Sequence, residues 1–301
     1  MDVVAHRRWG ELVRKAIMFV LPHNRLGDML FIQLKYFFVY REFIKKNSDP
    51  FSYKLLRLNN HSTNYFGYEK LADKLLLKDF AESQEIPYIP CEYVVNGESK
   101  ADYQNLVDFL NAHADSRFLM KGSLVSGENY FIDGTLDFES FKAHFKGCSK
   151  NMYQSSREIV YKADTNRVYL EKVIADDSNV YDAKIHVFNG KPLFLQVDTN
   201  RFSGHLQGYF TIWDQVQRKD MSVGYQAMDE QSQPPNSEVL KKIRRIIDQL
   251  NLKLPYVRID FLVAENHVYI GELTFYPWGI ARRITPQSVN NFWASQIPID
   301  Q

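Results

Sequence analysis

Tyr256-Val-Arg-Ile-Asp-Phe-Leu-Val263 and Val268-Tyr-Ile-Gly-Glu-Leu-Thr-Phe275 are two runs of β-branched and aromatic residues. Ala264-Glu-Asn-His267 between them is a turn candidate, so the stretch reads as a β-hairpin. Side chains alternate faces along a strand, which puts Arg258 and Asp260 on one face and Glu272 and Thr274 on one face. A turn that sets those two faces on the same side gathers a guanidinium, two carboxylates and a hydroxyl. Hard oxygen ligands beside a fixed positive charge suit Mg2+ and nucleotide phosphates. A solvated hairpin face with an Arg–Asp pair is the plainer alternative. Residues paired in an antiparallel register share a face and have a constant sum of numbers. All four polar residues are even-numbered, so the sum must be even. A three-residue loop at 264–266 or a five-residue loop at 263–267 satisfies this; the four-residue break does so only with a bulge.

Working outward, Glu238 to Leu250 is an amphipathic helix with basic outer positions, preceded by a short polar linker, Ala227–Asn236. Ala183–Phe188, Asn189-Gly190 and Lys191–Val197 form a second hairpin, because Asn-Gly fits a type I′ turn. Arg167–Ile174 is an apolar strand that follows a polar, lysine-bearing region, Lys142–Asn166. Phe118–Lys121 and Tyr130–Ile132 are two strands around a Gly/Ser loop. Upstream come a helix over about Ala101–Ala112, a strand over Tyr88–Val95 and a helix over Tyr68–Phe80. Residues 1–65 read as mainly helical. Hairpins with flanking helices argue for an α+β protein rather than a doubly wound parallel sheet.

A net charge of +1 over 301 residues excludes a generally basic nucleic-acid binder. Cys91 and Cys148 make neither a disulfide framework nor zinc-ligand spacing, as a reducing cytoplasm allows. The first eight residues lack the order of a signal peptide, and none is expected. Met29–Tyr40 is the nearest approach to a membrane span, but Gln33 and Lys35 interrupt it. A buried helix is the reading adopted for it, with peripheral attachment to a membrane surface as the alternative.

Several further residues carry chemistry. Lys121 ends an apolar strand and opens Gly122-Ser-Leu-Val-Ser-Gly127, where an ammonium and backbone N–H groups can surround phosphate oxygens. The spacing is not that of a P-loop, and an ordinary hairpin turn is the competing reading. Glu171-Lys172-Val173-Ile174 can read the edge of adenine with backbone groups while Val173 or Ile174 packs on the ring. Asp182 and Lys184 share a strand face suited to ribose and phosphate, and Arg201 suits a transferring phosphoryl group. A surface salt bridge and a surface arginine are the simpler accounts of these.

Lysine with a small-residue loop, an acidic hinge, Asp-x-Lys, Arg, Arg-x-Asp and Glu-x-Thr follow one another along the chain. The order resembles that of ATP-grasp enzymes. The runs Ser48–Leu58, Lys70–Lys74, Tyr181–Asp198 with Arg201-Phe202, and Gly271–Pro277 narrow it. Over roughly residues 27–290 the chain closely resembles the TupA-like (teichuronopeptide-biosynthesis) ATP-grasp family of bacterial polysaccharide clusters.

That resemblance implies an ATP-grasp fold, two α+β lobes clasping ATP, with an N-terminal helical subdomain. The expected divisions are 1–65 for the helical subdomain, 66–170 for the lobe with the Lys/Gly-Ser loop and 171–301 for the lobe with the metal site. It implies an ATP-dependent carboxylate–amine ligase working through an acyl phosphate, with Mg2+ or in its place Mn2+. A uronic acid of a capsule or O-antigen and an amino acid are the implied substrates, met in the cytoplasm or at the inner face of the membrane. By position, Lys121 and Ser123 would contact phosphates, the hinge Glu171, Lys172, Val173 and Ile174 adenine, Asp182 ribose and Lys184 phosphates. Arg201 and Arg258, with Lys184, would serve the chemical step, and Asp260, Glu272 and Thr274 the metal. Trp278, Arg282 and Arg283 are substrate candidates. The loop departs from the family, because Leu124, Val125 and Glu128 replace a histidine and two glycines. Fewer glycines give backbone N–H groups less freedom to approach phosphate, and Glu128 would repel it. The rival functions are a glycosyltransferase, for which no Asp-x-Asp motif occurs, and a non-catalytic nucleotide- or glycan-binding member of an assembly complex.

Overall fold

The final hairpin turns on two residues. In this computed structural model Ala264 pairs with His267, leaving Glu265 and Asn266 at φ 48° and 69°. Two successive positive φ values give the type I′ turn, whose twist matches that of the flanking strands. The odd loops expected from parity are therefore not used. A bulge supplies the even sum instead: Phe261 pairs with Ile270, but Asp260 pairs with Glu272 and Arg258 with Thr274. Gly271 is the extra residue, and a side chain there would start only 3.3 Å from the Asp260 carbonyl oxygen. The bulge also switches the buried face, from Val268 and Ile270 before it to Leu273 and Phe275 after it.

The structure describes residues 20–61, 67–132, 134–162, 166–174, 180–199, 206–213, 215–224 and 232–298. Their helices are α1 (Arg25–Tyr40), α2 (Pro50–Asn60), α3 (Lys74–Ser83), α4 (Lys100–Ala112), α5 (Phe138–Cys148), α6 (Met152–Ser156), α7 (Ser237–Leu250) and α8 (Gln287–Ser295). Their strands are β1 (Cys91–Val95), β2 (Phe118–Gly122), β3 (Asn129–Ile132), β4 (Val168–Lys172), β5 (Val180–Phe188), β6 (Lys191–Thr199), β7 (Leu206–Thr211), β8 (Gln217–Arg218), β9 (Ser222–Val223), β10 (Tyr256–Ala264), β11 (His267–Thr274) and β12 (Ile284–Thr285).

Two antiparallel sheets organise them. The larger runs in the order β11-β10-β5-β6-β7-β8 and the smaller β1-β4-β2-β3. In the larger sheet one face is apolar, with Ile259, Phe261, Ile185, Leu195 and Val197 in the same core cluster as Val239, Ile243 and Ile247 of α7. The other face is divided along its length. At one end Phe51 of α2 and Trp293 of α8 close over it, with Phe51–Tyr256 ring centroids at 5.4 Å and His186–Trp293 at 4.5 Å. At the other end the same face carries Asp182, Lys184, Asp198 and Asp260. The smaller sheet buries Phe118, Met120, Val168 and Leu170 with Leu106 of α4 and Phe141 of α5. Strand alternation then turns Lys121, Tyr169 and Glu171 to its opposite face.

The chain departs from its local reading in three places. The helix expected over Tyr68–Phe80 is broken into a 3-10 turn, Tyr68–Ala72, and α3. Asp73 lies between them with extended backbone, and its carboxylate accepts from the N–H groups of Leu75 and Leu76 at 2.8 and 3.2 Å. Helices α5 and α6 occupy much of the region Lys142–Asn166, which its polar composition had marked only as a separator. Strand β4, spanning the expected boundary at 170 and 171, pairs with β1 and β2 and so lies wholly in the smaller sheet. The boundary at 65 and 66 lies outside the described residues. Met29–Tyr40 is part of α1, with Phe31, Ile32 and Tyr36 buried. Among the described residues no helix is long and apolar enough to cross a membrane.

Candidate active site

A cavity of about 290 Å³ opens between the two sheets. The register of the larger sheet explains which residues reach it. Asp260 is flanked by Glu272 on β11 and Lys184 on β5, Arg258 by Thr274 and His186, and Asp182 by Asp198. All of these stand on the polar face. Arg258, Asp260, Glu272, Lys184 and Asp182 line the cavity from that side, and Lys121 and Glu171 from the smaller sheet. Hairpin residues 12 and 16 positions apart are thus joined to a strand more than 70 positions upstream by ladder pairing alone.

The wall from the smaller sheet is built around Glu171. Its buried carboxylate accepts from Lys78 Nζ at 2.5 Å and from Lys121 Nζ. Burial pushes the Glu171 carboxyl up, but the Lys121 and Lys78 ammoniums outweigh it and hold the group down at about 2. Lys78 also donates to the Ile89 carbonyl. Burial lowers its own pKa against the pull of Glu171. Glu171 is therefore the anchor of two lysines. In the rest of that segment Lys172 and Ile174 are exposed, and the Val173 N–H donates to the Arg117 carbonyl at 2.8 Å. That donor is engaged within the protein, so an adenine edge would have to meet other groups.

The loop after Lys121 also corrects one expectation. Ser123 is buried; its hydroxyl donates to Asp73 at 2.8 Å, its N–H to Arg167 and its carbonyl accepts from Lys74 N. It faces away from the cavity, where Val125, Ser126 and Gly127 form the rim instead. Leu124 and Val125, in place of a histidine and a glycine, are buried, which tethers the loop by apolar contact. Glu128 does not stand bare before the site. Lys150 at 2.5 Å and Tyr130 OH at 2.6 Å bond its carboxylate and lower its pKa.

At the other end Arg258 grips Asp260 with both arms, Nε to Oδ1 and Nη2 to Oδ2 at 2.7 Å each, and reaches Thr274 Oγ1 at 3.2 Å. Lys74 Nζ lies 3.7 Å from Glu272 and donates to the Val125 carbonyl at 2.7 Å. A carboxylate has about four lone-pair sites, so Asp260 keeps two for a cation while Arg258 holds it. Two carboxylates opposite one another with a hydroxyl two residues on make a hard-oxygen donor set that fits Mg2+. Among the described residues no three His, Cys, Asp or Glu side chains gather as a metal cluster. A cation here would complete its shell with water and phosphate oxygens, as Mg2+ commonly does. Lys184 bonds Asp198, with Asp182 at 3.7 Å.

Arg201 lies outside the described residues. Arg283 is engaged elsewhere: it bonds Tyr36 OH at 2.9 Å, pairs with Glu42 and stacks over Tyr40 at 4.9 Å. These contacts brace α1 and leave it unsuited to gripping substrate. Trp278 packs on His186 at 5.7 Å, half-buried, and Arg282 is exposed.

Three groups near the cavity escaped the sequence reading. Lys78 stands on the apolar stripe of Leu71, Leu75 and Ala81, and a lysine among such positions is a signal of a buried cation. Lys35 gives the same signal between Phe31, Ile32 and Tyr36. Glu158 gives none. It is buried, and desolvation raises its carboxyl to about 7, Lys35 opposing; Glu272 and Arg258 act on it from the site.

A family model described as TupA-like ATP-grasp matches residues 53–297. No curated protein matches the chain. Solved structures that resemble it include D-alanine–D-alanine ligase from Helicobacter pylori, at 15% identity and TM-score 0.46, over 76% of this chain and 61% of that one. The D-alanine–D-alanine ligase from Bacillus anthracis complexed with ATP shows 16% identity and TM-score 0.38, over 69% and 55%. The ATP-grasp ligase PsnB complexed with a minimal precursor shows 11% and 0.42, over 81% and 67%. The chain spans 61% of the length of the first of these.

Proposed function

We propose, from the premise that this chain belongs to the TupA-like ATP-grasp family, that it is an ATP-dependent carboxylate–amine ligase. The reading extends to an amino acid joined to a uronic acid of a bacterial capsular or O-antigen polysaccharide. The observation that carries it is the facing of Asp260 and Glu272 beside Arg258, across a cavity from Lys121. That arrangement supports a reading in which carboxylates at one wall of the cleft hold a metal and cations at both walls meet phosphates.

In this reading Lys121 and Lys184 neutralise the phosphates of ATP. The substrate carboxylate attacks the terminal phosphorus, ADP departs, and an amine then displaces phosphate from the acyl carbon. Arg258, held rigidly by Asp260 and Thr274, aims two donors at the charge that develops during transfer. Asp260, Glu272 and Thr274 would hold Mg2+, or Mn2+ in its place, which supplies charge neutralisation to the phosphates when bound. The altered loop, tethered by Leu124 and Val125, still presents Ser126 and Gly127 to the cavity. A sugar carboxylate would be met in the cytoplasm or at the inner face of the membrane.

The test is release of ADP from MgATP with glucuronate and galacturonate, free and nucleotide-linked, plus a pool of amino acids, with products read by mass spectrometry. An amide of uronic acid and amino acid is the expected product. Transfer of a sugar from a UDP-sugar without ADP release would replace this reading by the glycosyltransferase one.

A further inference from the structure

A second cavity, of about 490 Å³, lies in a groove between α2 and α8. Tyr53, Lys54 and Arg57 of α2 line one side of it. They form a stripe at helical spacing, opposite the buried Phe51, Leu55 and Leu58 of the same helix. Asn291 and Ser295 of α8 line the other side, and Lys46 and Asn47 come from the segment before α2. The face of α2 that carries Phe51 closes over the larger sheet, so the groove opens on the outside of the molecule. It shares no lining residue with the catalytic cleft.

Charge sets this groove apart. Three cations line it, and among the described lining residues none is acidic. From Phe43 to Asn60 the chain carries Lys45, Lys46, Lys54 and Arg57 against a single acid, Asp49. Asp49 is fully buried and turned inward, where its carboxylate accepts from Tyr36 OH, Asn290 Nδ2 and the Ser52 N–H. Helix α8 has no charged residue. Lys54 Nζ is fixed by the Ile297 carbonyl at 2.5 Å, a neutral acceptor that takes one of its three N–H donors. Burial, and then the like charges of Lys46 and Arg57, lower the pKa of Lys54. A concavity lined by one sign of charge concentrates ions of the other sign.

The neutral groups decide the kind of anion. Asn47, Asn291 and Ser295 bring groups that both donate and accept, as sugar hydroxyls require, and Tyr53 adds a ring with a polar end. The only apolar lining residues besides Tyr53 are Pro50 and Ala294, so the groove has nothing to insert into a bilayer. From Lys46, before the first turn of α2, to Arg57 the cations are spread over about 10 Å of helix axis. That spread suits acids on successive units of a chain better than one phosphate. We propose that this groove is an exosite for an acidic glycan, in which Lys46, Lys54 and Arg57 pair with carboxylates of sugars remote from the one that reacts. This rests on the ligase reading only for the uronic-acid nature of the glycan. It gives that substrate a class, an oligomer or polymer rather than a single sugar nucleotide.

The experiment measures binding by fluorescence anisotropy, without ATP. The probes are labelled oligomers of galacturonate, mannuronate and hyaluronan, each beside its carboxyl-reduced neutral form. Wild type should bind at least one acidic oligomer about tenfold or more tighter than its neutral form, and more weakly as salt rises. Lys46→Glu, and Lys54→Met combined with Arg57→Gln, should each weaken that binding about tenfold or more. Lys121→Met, in the catalytic cleft, should change it less than about twofold. Lys46 is exposed, so its variant decides the matter even if the double one does not fold. In turnover, Lys46→Glu should raise KM for an oligomeric acceptor and leave that for a monomeric uronate unchanged. Binding that the groove variants leave intact, or that the neutral oligomers share, overturns the proposal. Displacement of the oligomer by an equal concentration of inorganic phosphate, or by phosphatidylglycerol vesicles whose capture needs the same residues, also overturns it. Absence of ADP release with oligomer binding intact refutes the ligase reading and leaves the exosite standing, so the two failures are distinguishable.

Discussion

Replacing Glu171 by Gln should cost stability in a way that depends on pH. The carboxyl ionises at about 2 in the folded protein against the ordinary 4.5. At about 1.4 kcal/mol per pH unit, that gap makes the ionised group worth about 3 kcal/mol of folding free energy at pH 7. The folded value is depressed, so the stabilisation is present above pH 4.5 and is lost as pH falls towards 2. At pH 3 about 1.4 kcal/mol should remain. Urea unfolding of wild type and Glu171→Gln at pH 7, 5, 4 and 3 measures the difference. It should be near 3 kcal/mol at neutrality and narrow by about half at pH 3. A difference that stays constant with pH would show that shape and hydrogen bonding, not charge, hold this wall together. A companion variant sharpens the test. Lys78→Met leaves Glu171 with Lys121 alone and should cost about 3–5 kcal/mol, whereas Lys78→Met combined with Glu171→Leu should recover most of it.

Asp260→Ala and Glu272→Ala should each abolish ATP turnover, Glu272→Ala with melting temperature little changed and Asp260→Ala with a loss of stability from the unpaired Arg258; excess chelator should abolish turnover by wild type, and full activity in any of these cases rules out the metal assignment. Arg258→Ala should depress turnover by about 10²–10³-fold with ATP affinity nearly unmoved, and an effect on ATP binding alone would remove Arg258 from the chemical step. Glu158 behaves oppositely to Glu171. Its folded value is raised from 4.5 to about 7, so its contribution is fully present below pH 4.5 and lost as pH rises through 7. Glu158→Gln should therefore gain on wild type by about 3 kcal/mol between pH 4 and 8 in paired unfolding curves, and parallel curves would show that the carboxyl is not held protonated.

Much of this protein follows from local stereochemistry. Strand alternation puts Arg258, Asp260, Lys184 and Asp182 on one face and their apolar neighbours on the other, and that pattern is written in any window of a few residues. The turn at Asn189-Gly190 follows from residues that tolerate positive φ. Even the bulge left a trace, because the buried positions change from Val268 and Ile270 to Leu273 and Phe275 across Gly271. Parity alone admitted either an odd loop or a bulge, and only the observed pairing chose between them. Tertiary structure decided the rest. Glu171 meets Lys78 from 93 positions away, Ser123 turns towards Asp73 rather than the cavity, and Arg283 braces α1. Glu158 comes to be buried near Gly279 and Lys35 with no motif around it to announce the burial. Periodicity reports which face of an element is buried. Which distant side chains then share a cleft depends on how two sheets and their helices settle against one another, a sum over the whole core that no short stretch of sequence contains.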